Sequence, residues 1–165
     1  MKIRVLFIGI IFTILSACGK KDNSSSGGSG NLSFKVNGAT VNTNAWNASW
    51  GNLHFDFLTT NITSNMHKDK RTVNININAV KPGTYNFITG VPAKNKAAGF
   101  YYPDYSKSLN NFQFISGSFE ITEIDTITLT FSGKFSGTAK NSDTKEEVSI
   151  TEGIVTNAKL VKFDY

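Results

Sequence analysis

Apolar and polar side chains alternate along several short stretches of the chain, and this alternation predicts β-strands. The clearest case is residues 72–78, in which Val73, Ile75 and Ile77 alternate with three asparagines. A period of two places these apolar side chains on one face of a strand, whereas a helix would spread them around its axis. Residues 53–57 and 121–131 alternate similarly. No helical periodicity competes, so the predicted fold class is all-β.

Two local motifs place turns between the predicted strands. Asn37-Gly38 separates the strand-like runs 33–36 and 39–41, and this dipeptide favours a two-residue type I′ hairpin turn. Residues 116–119 (Ser-Gly-Ser-Phe) are echoed by residues 132–135 (Ser-Gly-Lys-Phe) and, more loosely, by residues 152–155. Spacings of 16 and 20 residues fit consecutive antiparallel strands. Each glycine is therefore predicted to ease a turn or bulge before an inward Phe or Val.

Turn signals between these stretches divide residues 31–165 into about nine or ten short strands. This pattern predicts an antiparallel β-sandwich, with a lipocalin-like β-barrel as the alternative, because both use short strands with one apolar face. About 135 residues form one ordinary domain, which buries roughly two-thirds of the surface of the unfolded chain.

The N-terminus has a different pattern, in which a charged start precedes an apolar run. Lys2 and Arg4 precede residues 5–15, which are predominantly apolar. As a helix, this run would rise only about 16 Å, roughly half of a bilayer core, so it is too short for a stable membrane span. The length and flanks are typical of a signal peptide, and residues 1–17 are predicted to be removed.

Residues 15–18, Leu-Ser-Ala-Cys, resemble the lipobox, the cleavage motif of bacterial lipoprotein signal peptidase. The resemblance implies cleavage between Ala17 and Cys18, a diacylglyceryl group on the Cys18 thiol and acylation of the new amino group. Two or three acyl chains, at about 0.8 kcal/mol per buried methylene, hold a protein on a membrane lastingly. An intramolecular disulfide is excluded because Cys18 is the only cysteine.

A polar segment joins this cysteine to the predicted domain. Residues 19–30 are GKKDNSSSGGSG, a composition that predicts a flexible tether with a reach of about 20 Å. In lipoproteins of enteric bacteria, Asp after the cysteine marks retention in the inner membrane, so Gly19 favours the outer membrane. Residues 20–22, Lys-Lys-Asp, are similar to part of the surface-export signal of Bacteroidetes lipoproteins, although Asn23 stands where a second acid is expected. We expect a lipid-anchored envelope protein, and this signal favours the cell surface.

Larger stretches of the chain resemble uncharacterised small lipoproteins of Bacteroidetes. The resemblance lies in residues 34–38 (Phe-Lys-Val-Asn-Gly), in the two Ser-Gly-x-Phe segments and in residues 148–153 (Val-Ser-Ile-Thr-Glu-Gly). It implies an all-β architecture and an envelope location, and it brings no activity or catalytic residues.

Candidate catalytic chemistry is sparse. His54 and His67 are the only histidines and have no H-x-H or H-x-x-x-H spacing that would seed a metal site. Glu120, Glu123 and Asp125 alternate with isoleucines, which is typical of the solvent face of a strand rather than of a pair of catalytic carboxylates. No nucleophile elbow, Walker loop or dinucleotide motif is present. We therefore expect no enzyme activity, no cofactor and no metal; a hydrolase is the remote alternative.

Charge gives no sign of nucleic-acid binding. The formal charge of +5 falls by two when the signal peptide is removed, and basic and acidic residues are mixed. A nucleic-acid-binding protein would carry a concentrated basic stripe with a docking motif.

Aromatic residues supply the candidate binding surface. Residues 99–105 (Gly-Phe-Tyr-Tyr-Pro-Asp-Tyr) contain four aromatic side chains, and two tryptophans lie four residues apart. Aromatic rings beside amides and carboxylates hold sugar rings by stacking and hydrogen bonding, but aromatics also commonly fill the core of a small domain. The candidate contacts for a glycan or an envelope protein are Tyr101, Tyr102, Tyr105, Trp46 and Trp50. A structural or assembly lipoprotein of the periplasmic face, without a small ligand, is the alternative.

One further motif concerns modification. Asp125-Thr126-Ile127 resembles the O-glycosylation motif of Bacteroidetes proteins, with Thr126 as the acceptor. The alternative is an ordinary part of a strand, because three-residue patterns recur by chance.

Overall fold

The structure, a computed structural model, describes residues 30–53, 57–64 and 70–163. Within them the chain forms nine strands, and a short 3₁₀ helix (Tyr105–Lys107) lies between the sixth and seventh. The strands are β1 (Asn31–Val36), β2 (Ala39–Leu53), β3 (Phe57–Ser64), β4 (Thr72–Ile77), β5 (Gly83–Asn86), β6 (Ala97–Tyr102), β7 (Phe112–Asp125), β8 (Thr130–Lys140) and β9 (Glu147–Phe163). The predicted all-β fold is confirmed. In this part of the chain no helix is long and apolar enough to span a bilayer.

The described strands form one mainly antiparallel sheet that curls until its two sides pair. The neighbours follow the order β7-β6-β4-β3-β2-β1-β9-β8, and β8 pairs again with β7. β5 lies outside this circuit and pairs with residues 118–121 of β7, next to the point where β6 pairs with residues 112–113. A curled circuit of this kind encloses one core between facing strands. Both the sandwich and the lipocalin-like barrel fit this arrangement.

The alternation seen in the sequence positions the core. Val73, Ile75 and Ile77 of β4 are fully buried, whereas Asn74 and Asn76 between them are only half-buried on the outer face. Aromatic side chains fill much of the interior. The buried aromatic residues are Phe34, Tyr85, Phe87, Tyr101, Phe112, Phe114, Phe119, Phe131 and Phe135.

The Asn37-Gly38 turn joins β1 and β2 as predicted. Both residues have positive φ, 47° and 83°, as a type I′ turn requires. The Asn37 N–H donates to the carbonyl oxygen of Ser149 at 2.9 Å, and the Ser149 N–H donates to Asn37 Oδ1 at 2.8 Å. The hairpin is therefore bonded to β9 as well as closed on itself.

The glycine repeat forms contacts between glycines and phenylalanines across β7, β8 and β9. Phe119 and Phe135 are paired across β7 and β8 and stack with centroids 5.8 Å apart and an interplanar angle of 4°. Gly133 lies against the ring of Phe119, and Gly153 lies against the ring of Phe135. A Cβ atom at Gly153 would come within 2.5–2.6 Å of three Phe135 ring carbons. Each later glycine of the repeat thus leaves space for the phenylalanine of the preceding copy.

Bulges accompany these glycines, as the repeat predicts. Register shifts occur beside Gly117 in β7 and Gly133 in β8, and Gly117 has a φ of 101°. In β9, Glu152 and Asn157 have positive φ of 51° and 50°, and they lie where β9 carries the extra residue opposite residues 135–137 and 131–133 of β8. Each bulge adds one residue and so returns the next apolar side chain to the interior.

The strand directions give the domain two distinct ends. The "entry end" carries the β7–β8 turn (126–129) and the β4–β6 connection outside β5 (78–82 and 87–96). The chain enters there, because Gly30 packs on Ala158 and Ala158 pairs with Phe131, next to the start of β8. The "loop end" carries the β1–β2 turn (37–38), the β6–β7 connection (103–111) and the β8–β9 connection (141–146). Residue 30 and the β6–β7 connection therefore lie at opposite ends.

The Gly153→Ala variant tests the glycine–phenylalanine contact. The added methyl group has no room beside Phe135, so we expect the free energy of unfolding to fall by about 1–3 kcal/mol, as for other overpacked cores. Urea denaturation followed by circular dichroism measures this difference. Lys134→Ala, an exposed change on the neighbouring strand, is the control and should alter stability by less than about 0.5 kcal/mol. Equal stability of the two variants would contradict the contact.

Candidate functional site

The candidate aromatic residues of β6 divide between the two faces of the sheet. Tyr101 is only 4% exposed and packs in the core, with ring centroids 6.3 Å from Phe34 and 6.0 Å from Phe112. Phe100 and Tyr102, on either side of it, point to the outer face and are half-buried. Tyr101 is therefore a core residue and leaves the set of candidate ligand contacts, because a strand turns successive side chains to opposite faces.

Three rings form a continuous row on the outer face at the loop end. Tyr102 is 6.2 Å from Phe100 and 5.3 Å from Tyr105 between ring centroids, and the two tyrosines meet edge to face at 69°. We call Phe100, Tyr102 and Tyr105 the aromatic row. Burial, and then the neighbouring Tyr105 hydroxyl, raise the pKa of Tyr102 above its ordinary value. The Tyr102 hydroxyl therefore stays protonated at neutral pH and can donate a hydrogen bond.

Asp104 holds the third ring of the row in place. Its Oδ1 accepts hydrogen bonds from the Ser106 N–H at 3.0 Å and from Ser106 Oγ at 2.5 Å, which caps the short 3₁₀ helix. Lys70 Nζ lies 3.6 Å from Asp104 Oδ2, and the Tyr105 N–H donates to the Lys70 carbonyl oxygen at 3.0 Å. The hydrogen bonds from Ser106, assisted by Lys70 and Lys107, hold the pKa of Asp104 below its usual range. The carboxylate is thus charged at neutral pH and fixes the turn that carries Tyr105.

Polar side chains of β4 lie beside the aromatic row. Asn74 is directly opposite Phe100 in the register, and Thr72 is opposite Tyr102. Thr72 is fully buried, and its Oγ1 has no hydrogen-bond partner among the described residues. An amide and three aromatic rings therefore share one small area of the outer face, next to the buried hydroxyl of Thr72.

Asn141 joins the two connections of the loop end. Its Oδ1 accepts hydrogen bonds from the N–H groups of Asp143 and Thr144, both at 2.9 Å. Its Nδ2 donates to Asn111 O at 3.0 Å and to Asn110 Oδ1 at 3.2 Å. The residue is 3% exposed, so these bonds are shielded from water. The polar residues 141–147 are typical of a hairpin tip, but they do not indicate that Asn141 also secures the β6–β7 connection.

The two tryptophans belong to β2, and their side chains lie outside the described part of the chain. Trp50 is in register with Thr60, which pairs with Ile77, which in turn pairs with Ala97 at the start of β6. Trp50 is thus displaced along the strands from Tyr102. The register of β2 and β3 is irregular at Trp46, whose neighbour Asn47 aligns through Thr63 and Asn74 with Phe100. Trp46 therefore lies level with the aromatic row but three strands away.

The other candidates are separate from this site. Thr126 is exposed in the β7–β8 turn, at the entry end. Glu120 and Glu123 are exposed on β7, while Asp125 Oδ1 accepts the N–H groups of Ile127 and Thr128 and so stabilises the turn. Ala17, Cys18, His54 and His67 fall outside the described residues. Within the described ranges no group of three or more His, Cys, Asp or Glu side chains is placed to hold a metal ion.

The Asn141→Ala variant tests the link between the two connections. Removal of the buried amide leaves the N–H groups of Asp143 and Thr144 and the carbonyl of Asn111 without partners, at a cost of about 1–3 kcal/mol. We expect a lower free energy of unfolding in urea and faster amide hydrogen exchange in residues 105–111. Ser142→Ala, an exposed change in the same connection, should leave both unchanged. Unaltered exchange in Asn141→Ala would show that the β6–β7 connection does not depend on this residue.

Comparisons with known proteins place the chain in a family but assign no activity. No curated protein and no solved structure matches it. A family model described as "Domain of unknown function (DUF6252)" matches residues 33–159, which include most of β1, most of β9 and every strand between them. The match covers more than half of the sequence, and the chain belongs to the DUF6252 family.

Proposed function

We propose that this chain is a lipid-anchored, non-enzymatic binding module of the bacterial envelope that holds a glycan on the aromatic row. The observation that carries the proposal is the edge-to-face pair of Tyr102 and Tyr105 on the outer face, 5.3 Å apart. Neither tyrosine hydroxyl forms a hydrogen bond with another described residue. Two ring faces and two available hydroxyls are the groups that bind the apolar face and the hydroxyls of a sugar.

The surroundings of the row support this chemistry. Asn74, whose Oδ1 accepts a hydrogen bond from Asn76 Nδ2 at 3.4 Å, lies opposite Phe100, and Asp104 keeps Tyr105 in position beside Tyr102. Hydrogen bonds hold both connections of the loop end, so a ligand would meet a surface that is already ordered and would lose less entropy on binding.

The non-enzymatic part of the proposal is supported by the places of the carboxylates. Glu120 lies opposite Lys134 on the exposed side of β7 and β8, and Asp125 stabilises the β7–β8 turn by accepting the Ile127 N–H. These positions suit a solvated strand and its turn better than a pair of acids across a cleft.

Anchoring by Cys18 is supported by the lipobox-like residues 15–18 and by the Gly/Ser tether that follows. We propose the outer membrane as its location, with the domain at the cell surface. Such an anchor would keep the binding face within a short distance of the envelope, where glycans are abundant.

Glycan binding is tested with single substitutions in the row. The purified chain is screened on a glycan array, and the affinity for the strongest binder is then measured by calorimetry. Tyr105→Ala and Tyr102→Ala should each weaken binding roughly two- to tenfold, because an aromatic contact contributes about 0.5–1.5 kcal/mol beyond its area. Tyr105→Phe should retain the stacking and lose only the hydroxyl contribution.

Leu109→Ala is the matched control, because Leu109 is an exposed apolar residue of the same connection without a ring. It should leave glycan affinity unchanged. Absence of binding across the array, or equal affinity of the tyrosine variants and the wild type, would overturn the proposal and favour an assembly role without a small ligand.

A further inference from the structure

Two turns at the entry end present apolar side chains to solvent. Ile127 is 93% exposed in the β7–β8 turn, and Val91 is 86% exposed in the β4–β6 connection. Hydrogen bonds fix both turns: Asp125 Oδ1 accepts the Ile127 N–H at 2.7 Å, and buried Asn78 donates from Nδ2 to the carbonyl of Pro92 at 3.0 Å. These hydrogen bonds order both turns and so keep the side chains of Ile127 and Val91 in solvent.

Exposure alone does not identify the partner of these turns, because Leu109 at the loop end is 91% exposed. The entry point of the chain distinguishes the two ends. Gly30 packs on Ala158, and Ala158 pairs with Phe131 at the base of the β7–β8 turn, so only two strand spacings, about 10 Å, separate the tether from this turn. The sequence places a candidate lipid-bearing cysteine twelve residues before Gly30, a reach of about 20 Å.

The balance of positive and negative charges also distinguishes the entry end from the loop end. At the loop end the charges balance: Lys70 and Lys140 lie 3.6 and 2.8 Å from Asp104 and Glu147, and Lys107 and Lys145, which have no carboxylate partner among the described residues, are offset in number by Asp143 and Glu146. The entry end carries four lysines for which no carboxylate partner is found among the described residues. They are Lys81, Lys94, Lys96 and Lys159. Unpaired lysines beside exposed apolar side chains favour an anionic lipid surface, where the cation meets a headgroup and the apolar tip reaches the acyl boundary.

From these observations we propose that the entry end is a membrane-contacting surface, with Ile127 and Val91 at the lipid boundary and the four lysines on anionic headgroups. The proposal rests on the lipid anchor proposed above but not on glycan binding. Because the aromatic row lies at the opposite end, this orientation would turn the row away from the bilayer. The anchor would then set the direction in which the binding face points, besides keeping it near the membrane.

Site-specific labelling of the full lipidated chain tests this orientation. Once Cys18 carries lipid, Ile127→Cys or Leu109→Cys supplies one free thiol for an environment-sensitive fluorophore. The labelled proteins are reconstituted in vesicles of phosphatidylethanolamine and phosphatidylglycerol that contain lipids brominated on the acyl chains. We expect quenching of the label at position 127 and none at position 109. Equal quenching at both positions, quenching at 109 alone, or none at either would overturn the proposal.

Three further measurements test the lipid anchor, the accessibility of Ile127 and the role of the lysines. Mass spectrometry of the N-terminal peptide establishes whether Cys18 is lipidated; its absence would contradict the anchor and, with it, this orientation, while leaving glycan binding to its own test. A glycan on Thr126 would cover Ile127, so a hexose-containing Thr126 peptide would also overturn the proposal. Replacement of Lys81, Lys94 and Lys159 by Gln should reduce quenching at position 127, whereas Lys140→Gln at the loop end should not.

Discussion

Close contact between glycine backbone and phenylalanine rings is the interaction on which the rest of this domain depends. Gly133 lies on Phe119 and Gly153 lies on Phe135, while the two rings stack on each other across β7 and β8. A shift of one residue in either strand pair would place a side chain where each ring now lies and would turn the apolar set outwards. The contacts therefore fix the register of β7, β8 and β9.

That register positions everything to which we assign a role. β7 pairs with β8 on one side and with β6 on the other, so it connects the stacked core to the strand that carries Phe100 and Tyr102. β9 pairs with β1 and thereby places Gly30 beside the base of the β7–β8 turn. A meander of this kind separates the entry of the chain from the aromatic row by the length of the strands. Two surfaces of different chemistry can thus act independently on one small domain.

Local patterns predicted much of this fold. The alternation of residues 72–78, the Asn37-Gly38 turn and the inward phenylalanines of the repeat each depend on neighbours in sequence, and the structure confirms them. The repeat predicted the bulge beside Gly153, where Glu152 has the positive φ, whereas the bulge at Asn157 was not predicted, because no glycine marks that position in β9. Those bulges interrupt the alternation of β9, which is why its apolar positions look irregular in the sequence. The repeat predicted β7 and β8 as consecutive antiparallel strands, but the alternation predicted over residues 121–131 is broken by the turn at 126–129. The completed circuit depends on the distant pairing of β1 with β9.

The candidate site was predicted only in part, for a similar reason. Composition drew attention to residues 99–105 but did not separate Tyr101 from Tyr102, because that stretch was not recognised as a strand with two faces. Once β6 is known, alternation alone places Tyr101 in the core and Tyr102 outside. The contributions of Thr72 and Asn141 arise from contacts with residues about 30 positions away, which no local pattern reveals.

The most direct test of the central contact is the proton NMR spectrum of the glycines. A glycine in contact with an aromatic ring experiences the ring current, so the Hα signals of Gly133 and Gly153 should be displaced from ordinary values and should show nuclear Overhauser effects to the rings of Phe119 and Phe135, respectively. Gly38 and Gly90, which have no neighbouring atoms within 4 Å of a Cβ position, should resonate near ordinary values. Ordinary shifts at Gly133 and Gly153, without contacts to those rings, would contradict the register and the separation of the two ends that follows from it.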